Sequence, residues 1–131
     1  MTDKKIILDT NALLRFITGD DPEKSQKVSD FINSNDCIVP IEVIVEAVYN
    51  LEKFYKHPRQ FIAEEIIEFS AIKENLVYEE DIVRFGCNIF ASTKLDFIDS
   101  LLVAYSNVKN NPVFSFDIEL NKKLAHNAIN Q

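Results

Sequence analysis

The sequence is poor in the residues that make chains flexible or cross-linked. Glycine occurs only 2 times and proline 4 times in 131 residues, so we do not expect long flexible linkers. The two cysteines, Cys37 and Cys87, form neither a C-x-x-C pair nor a metal-ligand spacing, and we expect reduced, buried thiols. No apolar run reaches the roughly 18 residues of a membrane span, and the first run is too short for a signal peptide. We therefore predict one domain, residues 1–131, in the cytoplasm and not at a membrane.

Positive charge is also scarce. The chain has 14 Lys and Arg residues against 21 Asp and Glu residues, which gives a formal net charge of -7. This balance argues against a protein that is held on nucleic acid mainly by its own positive charge. It is compatible with a nucleic-acid enzyme in which metal ions supply the missing positive charge. The charge balance alone does not decide between the two.

Short apolar runs alternate with stretches of helical periodicity along the chain. Apolar runs bounded by turn residues indicate strands, and apolar residues three or four apart indicate helices. The predicted strands are residues 4–8, 36–40, 75–78 and 112–116. The predicted helices are residues 11–18, 41–54, 61–70, 79–92 and 96–110, with another that starts at Asp21 and Pro22. This alternation predicts an α/β fold in which helices cover both faces of a parallel sheet.

Two aspartates directly follow predicted strands. Asp9 comes after the first strand and Asp117 after the fourth. Ligands of open parallel sheets bind beyond the carboxyl ends of the strands, so these carboxylates would share one cleft if the two strands are neighbours. Aspartate is also a favoured residue for capping the start of a helix, and helical patterns follow both positions. The pattern alone leaves the two interpretations open.

Another pair of aspartates, Asp96 and Asp99, lies three residues apart at the start of an apolar helical stretch. This spacing suits a capping arrangement, with Asp96 before the helix and Asp99 in its first turn. A helix N-terminus also favours negative charge and can therefore hold an ionised ligand towards a metal. We favour the functional interpretation for Asp99 and the capping interpretation for Asp96.

Glu46 lies inside the apolar helical stretch "IEVIVEAVYNLEKF". It forms a stripe at helical spacing with three other polar residues, Glu42, Asn50 and Lys53. Such a stripe is usually the solvated face of a helix, and for Glu46 taken singly that is the simpler interpretation. The pattern by itself does not place this side chain in a cleft.

Four carboxylates in one cleft would repel one another strongly. Two unit charges about 4 Å apart interact by roughly 4 kcal/mol at an effective dielectric constant of about 20. Near neutral pH such a cluster needs protons or cations, and hard oxygen ligands suit Mg²⁺ or Mn²⁺. These ions accept phosphate oxygens as further ligands and stabilise charge on a phosphodiester. Phosphodiester hydrolysis is therefore the chemistry that this set of acids would serve.

Four segments occur in the order expected of one family. The segments "DTNALLRFITGDDPEKS", "VEAVYNL", "DFIDSLLVAYS" and "SFDIEL" resemble the PIN domain, and especially the VapC group of toxin ribonucleases from toxin–antitoxin pairs. The resemblance covers essentially the whole chain. It implies a three-layer α/β/α PIN-like domain with a central parallel sheet of four or five strands. It also implies an endoribonuclease that cuts RNA with Mg²⁺ or Mn²⁺.

The resemblance assigns roles to individual residues. Those that it implies as catalytic, metal-binding acids are Asp9, Glu46, Asp99 and Asp117. Those that it implies as supporting residues are Asn11, Asp96 and Ser115. It further implies a homodimer that is silenced by a cognate antitoxin protein. We expect water to attack phosphorus in line, which leaves a 5′-phosphate and a 3′-hydroxyl.

The positive and aromatic residues leave several interpretations open. Arg15 either contacts RNA phosphate or lies on the surface of the first helix. The segment "KFYKHPRQF" mixes charge with aromatic rings, which can bind RNA through charge and stacking. The same segment could equally pack in a dimer or hold an antitoxin helix, and a plain loop between helices is the simplest interpretation. We expect His57 and His126 to be surface residues and assign neither as a general base.

Three other functions compete with a toxin ribonuclease. A non-catalytic binding module on the same scaffold is disfavoured by the retained acids. A phosphotransfer protein is disfavoured because Asp9 is the only acid at the end of the first strand and residue 11 is Asn. A housekeeping PIN nuclease that acts in RNA processing would have the same acids, so the sequence alone does not reject it.

Overall fold

Short extended segments alternate with longer helices along the chain. The computed structural model describes residues 4–129. Its strands and helices are β1 (Ile6–Ile7), α1 (Thr10–Thr18), α2 (Pro22–Ser34), β2 (Cys37–Ile38), α3 (Ile41–Lys53), α4 (Arg59–Ala71), α5 (Glu80–Ser92), α6 (Phe97–Lys109), α7 (Ile118–Leu124) and a 3₁₀ turn, Ala125–Asn127. The predicted helices are all present, with small differences at their ends. In the described part of the chain, no helix is long and apolar enough to cross a membrane.

The sheet is smaller than the one predicted. β1 and β2 pair in parallel, and the register places Ile6 opposite Cys37. A single parallel bridge from Val39 to Val77 adds part of the predicted third strand. Within residues 4–129 the chain forms this two-stranded sheet and isolated bridges, so a central sheet of four or five strands is not confirmed.

The apolar run at residues 112–116 does not form the predicted fourth strand. Val113 pairs instead with the C-terminal segment, where its N–H donates to the Asn127 carbonyl at 2.9 Å. The side chains of Phe114 and Phe116 are 59% and 80% exposed, so no sheet covers this face of the run. Among the described residues, β2 is the only strand hydrogen-bonded to β1. Asp9 and Asp117 therefore do not follow two neighbouring strands of one sheet.

Aspartates begin four of the helices. The residues that cap α1, α2, α6 and α7 through a side-chain oxygen are Asp9, Asp21, Asp96 and Asp117. Each cap satisfies a backbone N–H that the first turn of a helix leaves without an intrahelical partner, which typically stabilises the protein by about 1 kcal/mol. The caps fix where these helices start, and α1 begins at Thr10 because the residue before it is extended and caps it.

Close helix packing brings α6 against the rest of the core. α5 lies between α4 and α6, and α3 contacts α1, α4 and α6. Gly86 on α5 faces Leu101 on α6, and a Cβ added at Gly86 would lie 2.8 Å from Leu101 Cδ2. A Cβ at this position would require the Leu101 side chain to shift, whereas Leu101 Cα, at 3.6 Å, would be at ordinary contact distance. A smaller apolar cluster, which includes Leu120 and Leu124, anchors α7.

Both cysteines are free and buried, as the sequence predicts. Burial raises the pKa of the Cys87 thiol to about 12 and also raises the pKa of Cys37. Both thiols are therefore protonated near neutral pH and act as small apolar core residues.

Candidate active site

One acidic cleft lies between α1 and α3. Asp9, Asn11 and Glu46 line this α1–α3 cleft, and its volume is about 630 Å³. Asp9 Oδ1 accepts a hydrogen bond from the Ala12 backbone N–H at 2.9 Å, so capping α1 uses one of its carboxylate oxygens. Glu46 Oε1 accepts a short hydrogen bond from the Thr10 hydroxyl. Although Glu46 is exposed, its carboxylate faces the start of α1, so it is more than part of a solvated stripe.

A second acidic cleft lies where α6 and α7 begin. Asp96, Asp99 and Asp117 line this α6–α7 cleft, and its volume is about 360 Å³. Asp96 Oδ1 accepts the Asp99 N–H at 2.8 Å, and Asp117 Oδ1 accepts the Leu120 N–H at 2.9 Å. The capping roles of Asp96 and Asp117 are thus confirmed. The same caps place both carboxylates beside the cleft that Asp99 faces.

The α6–α7 cleft concentrates negative charge around Asp99. Partial burial raises the pKa of the Asp99 carboxyl, and the neighbouring charges of Asp96 and Asp117 raise it further. Lys94 and Lys123 line the same cleft, but they do not reverse the direction of this shift. A proton or a cation at this point would relieve the repulsion among the three carboxylates.

Ser115 fixes the turn that leads into α7. Its hydroxyl accepts a hydrogen bond from the Asp117 backbone N–H at 3.0 Å. Its carbonyl accepts a hydrogen bond from Asn121 Nδ2 at 2.9 Å. These contacts hold the backbone on both sides of Phe116 and so set the direction in which the Asp117 side chain leaves the chain.

A third cleft lies between α3 and α6 and adjoins the α6–α7 cleft. Its volume is about 450 Å³, and Val45 and Tyr49 of α3 line it together with Asp96 at the start of α6. Val45 precedes Glu46 in the sequence, and Asp96 also lines the α6–α7 cleft. This α3–α6 cleft therefore connects the helix that carries Glu46 with the acids at the start of α6.

The carboxylates do not form a compact metal site as they stand. Within the described range, 4–129, no three or more Asp, Glu, His or Cys side chains lie close enough together to hold a metal ion. The chemistry of the donors nevertheless fits Mg²⁺ or Mn²⁺, since both clefts offer carboxylate oxygens. An ion bound by acids of both clefts would have to draw them together.

Arg15 is held by an acidic neighbour on its own side of the molecule. Its Nη1 lies 3.2 Å from Asp20 Oδ1. The hydrogen bond from the Thr18 hydroxyl, followed by the Arg15 guanidinium and the Tyr55 hydroxyl, lowers the pKa of the Asp20 carboxyl. Asp20 therefore partly neutralises the charge of Arg15, and the phosphate contact of Arg15 stays a prediction.

Arg15 also belongs to a basic groove that sequence reasoning missed. Lys24 and Lys27 of α2 line this groove together with Arg15, and Asp9 lies in it as well. Arg15 Nε is buried and has no hydrogen-bond partner among the residues that the structure describes. The three-residue spacing of the two lysines on one helix was the signal available in the sequence. The groove places three cations beside the first acid of the α1–α3 cleft.

The segment "KFYKHPRQF" contains the predicted loop between helices, at residues 54–58, but α4 begins at Arg59, two residues earlier than predicted. The Arg59 side chain points inwards, where its Nε donates to the Phe90 carbonyl at 3.0 Å. His57 is partly buried and packs against Phe61 with ring centroids 4.7 Å apart, whereas His126 is exposed. Neither histidine lines an acidic cleft. The Pro–Arg pair at the helix start was the signal for this earlier boundary.

Comparison with known proteins identifies a family and a curated relative. The PIN domain family matches residues 6–124, a range that contains both acidic clefts. A curated relative described as a VapC ribonuclease, from Aquifex aeolicus (strain VF5), is 31% identical over 102 residues, which cover 72% of this chain and 73% of the relative. No solved structure matches the chain.

Proposed function

This chain belongs to the PIN domain family, and from that premise we propose that it is a metal-dependent endoribonuclease that hydrolyses RNA phosphodiester bonds. The observation that supports the proposal most directly is the α6–α7 cleft, in which Asp96 and Asp117 flank Asp99; burial, followed by these two charges, raises the pKa of the Asp99 carboxyl. A group of carboxylate oxygens is the kind of ligand set that a divalent cation prefers. The similarity to a VapC ribonuclease supplies the reaction class.

The proposed catalytic acids come from both clefts. The residues that would hold Mg²⁺ or Mn²⁺ are Asp9, Glu46, Asp99 and Asp117. The proposed supporting residues are Asn11, Asp96 and Ser115. When bound, the ion would supply positive charge that stabilises the phosphate in the transition state and would orient the attacking water.

The protein's own contacts organise these acids before RNA arrives. The Thr10 hydroxyl orients Glu46, and the hydroxyl of Ser115 orients the backbone of Asp117. The helix caps hold Asp9 and Asp117 in defined rotamers, because one oxygen of each is bonded to a backbone N–H. Side chains fixed in this way lose little further freedom when they act on a substrate.

The basic groove is the proposed path of the RNA backbone. Arg15, Lys24 and Lys27 lie where phosphates could follow the groove towards Asp9. Arginine and lysine both form charge-assisted hydrogen bonds with phosphate oxygens. A local group of cations allows an acidic protein to bind RNA in spite of its formal net charge of -7.

An enzyme and a non-catalytic binding module predict different outcomes in solution. If the chain is an enzyme, the purified protein should degrade single-stranded RNA with Mg²⁺ or Mn²⁺, and an excess of chelator should stop the reaction. The products should carry 5′-phosphates, which a 5′-phosphate-dependent exonuclease detects. RNA that stays intact through a long incubation with Mn²⁺, under conditions in which it binds the protein, would instead identify a binding module.

The relative's description as a VapC ribonuclease supports the proposal that this chain is the toxin of a toxin–antitoxin pair, with a cognate antitoxin protein as partner. We further propose that it acts in the cytoplasm as a homodimer. Expression of the chain in a bacterium should then arrest growth. Coexpression of a small DNA-binding protein encoded directly upstream should restore growth. Normal growth of cells that contain active nuclease would favour a housekeeping PIN enzyme in RNA processing.

A further inference from the structure

Arg59 joins three separate parts of the chain. It is the first residue of α4, and its Nη1 lies 3.3 Å from Glu52 Oε2 on α3. Its Nε donates to the Phe90 carbonyl of α5 at 3.0 Å, and its Nη2 donates to the Leu95 carbonyl through a short hydrogen bond. The guanidinium carbon also lies 3.7 Å from the centre of the Phe90 ring. Each part of the guanidinium therefore has a defined partner.

The bond to Leu95 fixes the turn that carries the first acid of α6. The Leu95 N–H donates to Thr93 Oγ1 at 3.2 Å, so the residue is held by its N–H on one side and by Arg59 on the other. Asp96 follows immediately, and its carbonyl accepts the Ser100 hydroxyl at 2.8 Å. The position of this turn determines where α6 begins and hence where the carboxylates of its first turn lie.

The bond to Glu52 reaches the helix that carries the other acidic cleft. Glu52 follows Glu46 by six residues on α3, which corresponds to roughly 9 Å along the helix axis. Arg59 and Glu52 both line the α3–α6 cleft, which is bounded by α3 on one side and by Asp96 on the other. The Arg59 guanidinium thus connects α3, the helix that carries Glu46, with the turn at Leu95 that precedes Asp96.

We propose that Arg59 is a positioning residue that sets the spacing between the two acidic clefts, an inference that rests on the proposed metal-dependent function. A guanidinium can serve a carboxylate, two carbonyls and an aromatic ring at once because its donors lie in a rigid plane. A lysine at this position has one flexible ammonium group and cannot reproduce that set of contacts. Loss of the planar group should let the turn at Leu95 and the α3 helix move relative to each other.

Lys73 provides a matched structural control. Its Nζ donates to the Ile32 carbonyl at 2.9 Å and to the Asn35 carbonyl at 2.8 Å. Like Arg59, it is a cation that satisfies two backbone carbonyls between distant segments. It lines neither acidic cleft and contacts the end of α2. A variant at Lys73 therefore removes a comparable link between segments without disturbing the acids.

The test compares Arg59→Lys with Lys73→Met in the full chain. Both variants should unfold at lower urea concentration than the wild type, because each leaves backbone carbonyls without a partner. Binding of Mn²⁺ alone, measured from the electron paramagnetic resonance signal of free Mn²⁺, should weaken by about tenfold in Arg59→Lys, as expected when a residue that orients metal ligands is changed. Lys73→Met should bind Mn²⁺ as the wild type does. Equal Mn²⁺ affinity in all three proteins, or an equal loss in both variants, would overturn the inference.

A milder variant keeps the inference testable if Arg59→Lys does not fold. Glu52→Gln keeps the shape of the side chain and all carbonyl bonds of Arg59, but it removes the charge that ties the guanidinium to α3. It should fold and should bind Mn²⁺ about threefold more weakly than wild type, a smaller effect than loss of an orienting residue. Wild-type affinity in Glu52→Gln would overturn the coupling to α3. If the wild type itself binds no Mn²⁺, the proposed function fails, whereas Mn²⁺-dependent cleavage that is insensitive to these variants rejects only the role of Arg59.

Discussion

The acids of the α1–α3 cleft and those of the α6–α7 cleft have different surroundings. In the α1–α3 cleft, Glu46 receives a hydroxyl donor from Thr10, and the basic groove lies alongside Asp9. In the α6–α7 cleft, Asp99 is flanked by two further carboxylates and has a raised pKa. The first cleft orients its glutamate with a hydroxyl group, whereas in the second cleft burial and two like charges act on the central aspartate. We expect loss of charge at Asp99 to affect the reaction most strongly and loss of the basic groove to affect RNA binding.

The largest expected effect comes from removing the central charge of the α6–α7 cleft. Asp99→Asn should lower the rate of RNA cleavage at saturating Mn²⁺ by at least about 100-fold, because a ligand that stabilises the transition state through the ion is removed. The rate is measured with a fluorescently labelled RNA. Glu119 lines the same cleft but has no proposed role, so Glu119→Gln is the matched control. Equal losses in both variants would mean that only total charge matters.

A smaller effect is expected in the α1–α3 cleft from Thr10. Thr10→Val removes the hydroxyl that orients Glu46 and keeps the branched shape of the side chain. Cleavage should fall by roughly 10-fold or more, which is typical for loss of a group that orients a ligand. Thr10→Ser keeps the hydroxyl and should retain most of the activity. If Thr10→Val cleaves RNA as fast as Thr10→Ser, the hydrogen bond to Glu46 has no catalytic importance.

The basic groove should affect RNA binding without a specific effect on chemistry. In an Asp99→Asn background, the double variant Lys24→Ala/Lys27→Ala should bind single-stranded RNA more weakly. The slope of log affinity against log salt concentration should decrease by about 0.7 for each phosphate that the variant no longer neutralises. The same change of net charge at Lys109→Ala/Lys122→Ala should leave the slope unchanged. Identical slopes for the two double variants would show that the groove does not bind phosphate.

The smallest effect concerns the pH dependence of stability in the absence of metal. Folding raises the pKa of Asp99 above its ordinary value of 3.8. At a pH between 3.8 and the raised pKa, the folded protein therefore binds more protons at Asp99 than the unfolded chain does. The contribution of Asp99 to the stability of the wild type is therefore fully present below 3.8 and is lost as pH rises through the raised pKa. Asp99→Asn lacks this titration, so its free energy of unfolding relative to wild type should increase with pH. Urea unfolding at several pH values measures the difference, and a pH-independent difference would contradict the prediction.

Helices were easier to predict from this sequence than sheet pairing. The start of α2 could be predicted because Asp21 and Pro22 are local signals that need no tertiary partner. The run at residues 112–116 has the alternation of a strand, with Phe114 and Phe116 on one side. Alternation shows which side chains share a face, but it does not show whether anything covers that face, and here both rings are exposed.

The candidate site could be predicted only in part for the same reason. The capping potential of Asp9, Asp96 and Asp117 is local and was readable in the sequence. Glu46 was ambiguous, because helical spacing does not reveal that Thr10, 36 residues earlier, supplies its partner. Arg59 points inwards because it donates to carbonyls of two other segments, which the sequence does not reveal. In the sequence alone, the basic and aromatic residues around it have the composition of an RNA-binding loop. The catalytic roles of the acids stay predictions that rest on family resemblance.

The helix caps bear on how related sequences should be compared with this one. A descendant that had abandoned the chemistry would still need a capping side chain at residues 9, 96 and 117 in order to fold, and Asp, Asn or Ser would serve there equally well. A capping side chain retained at those three sites is therefore a poor marker of an active enzyme. Glu46 and Asp99 cap no helix with their side chains, so the need for capping does not preserve an acid at these two positions. An acid at both residue 46 and residue 99 should therefore distinguish active nucleases of the family from inactive ones.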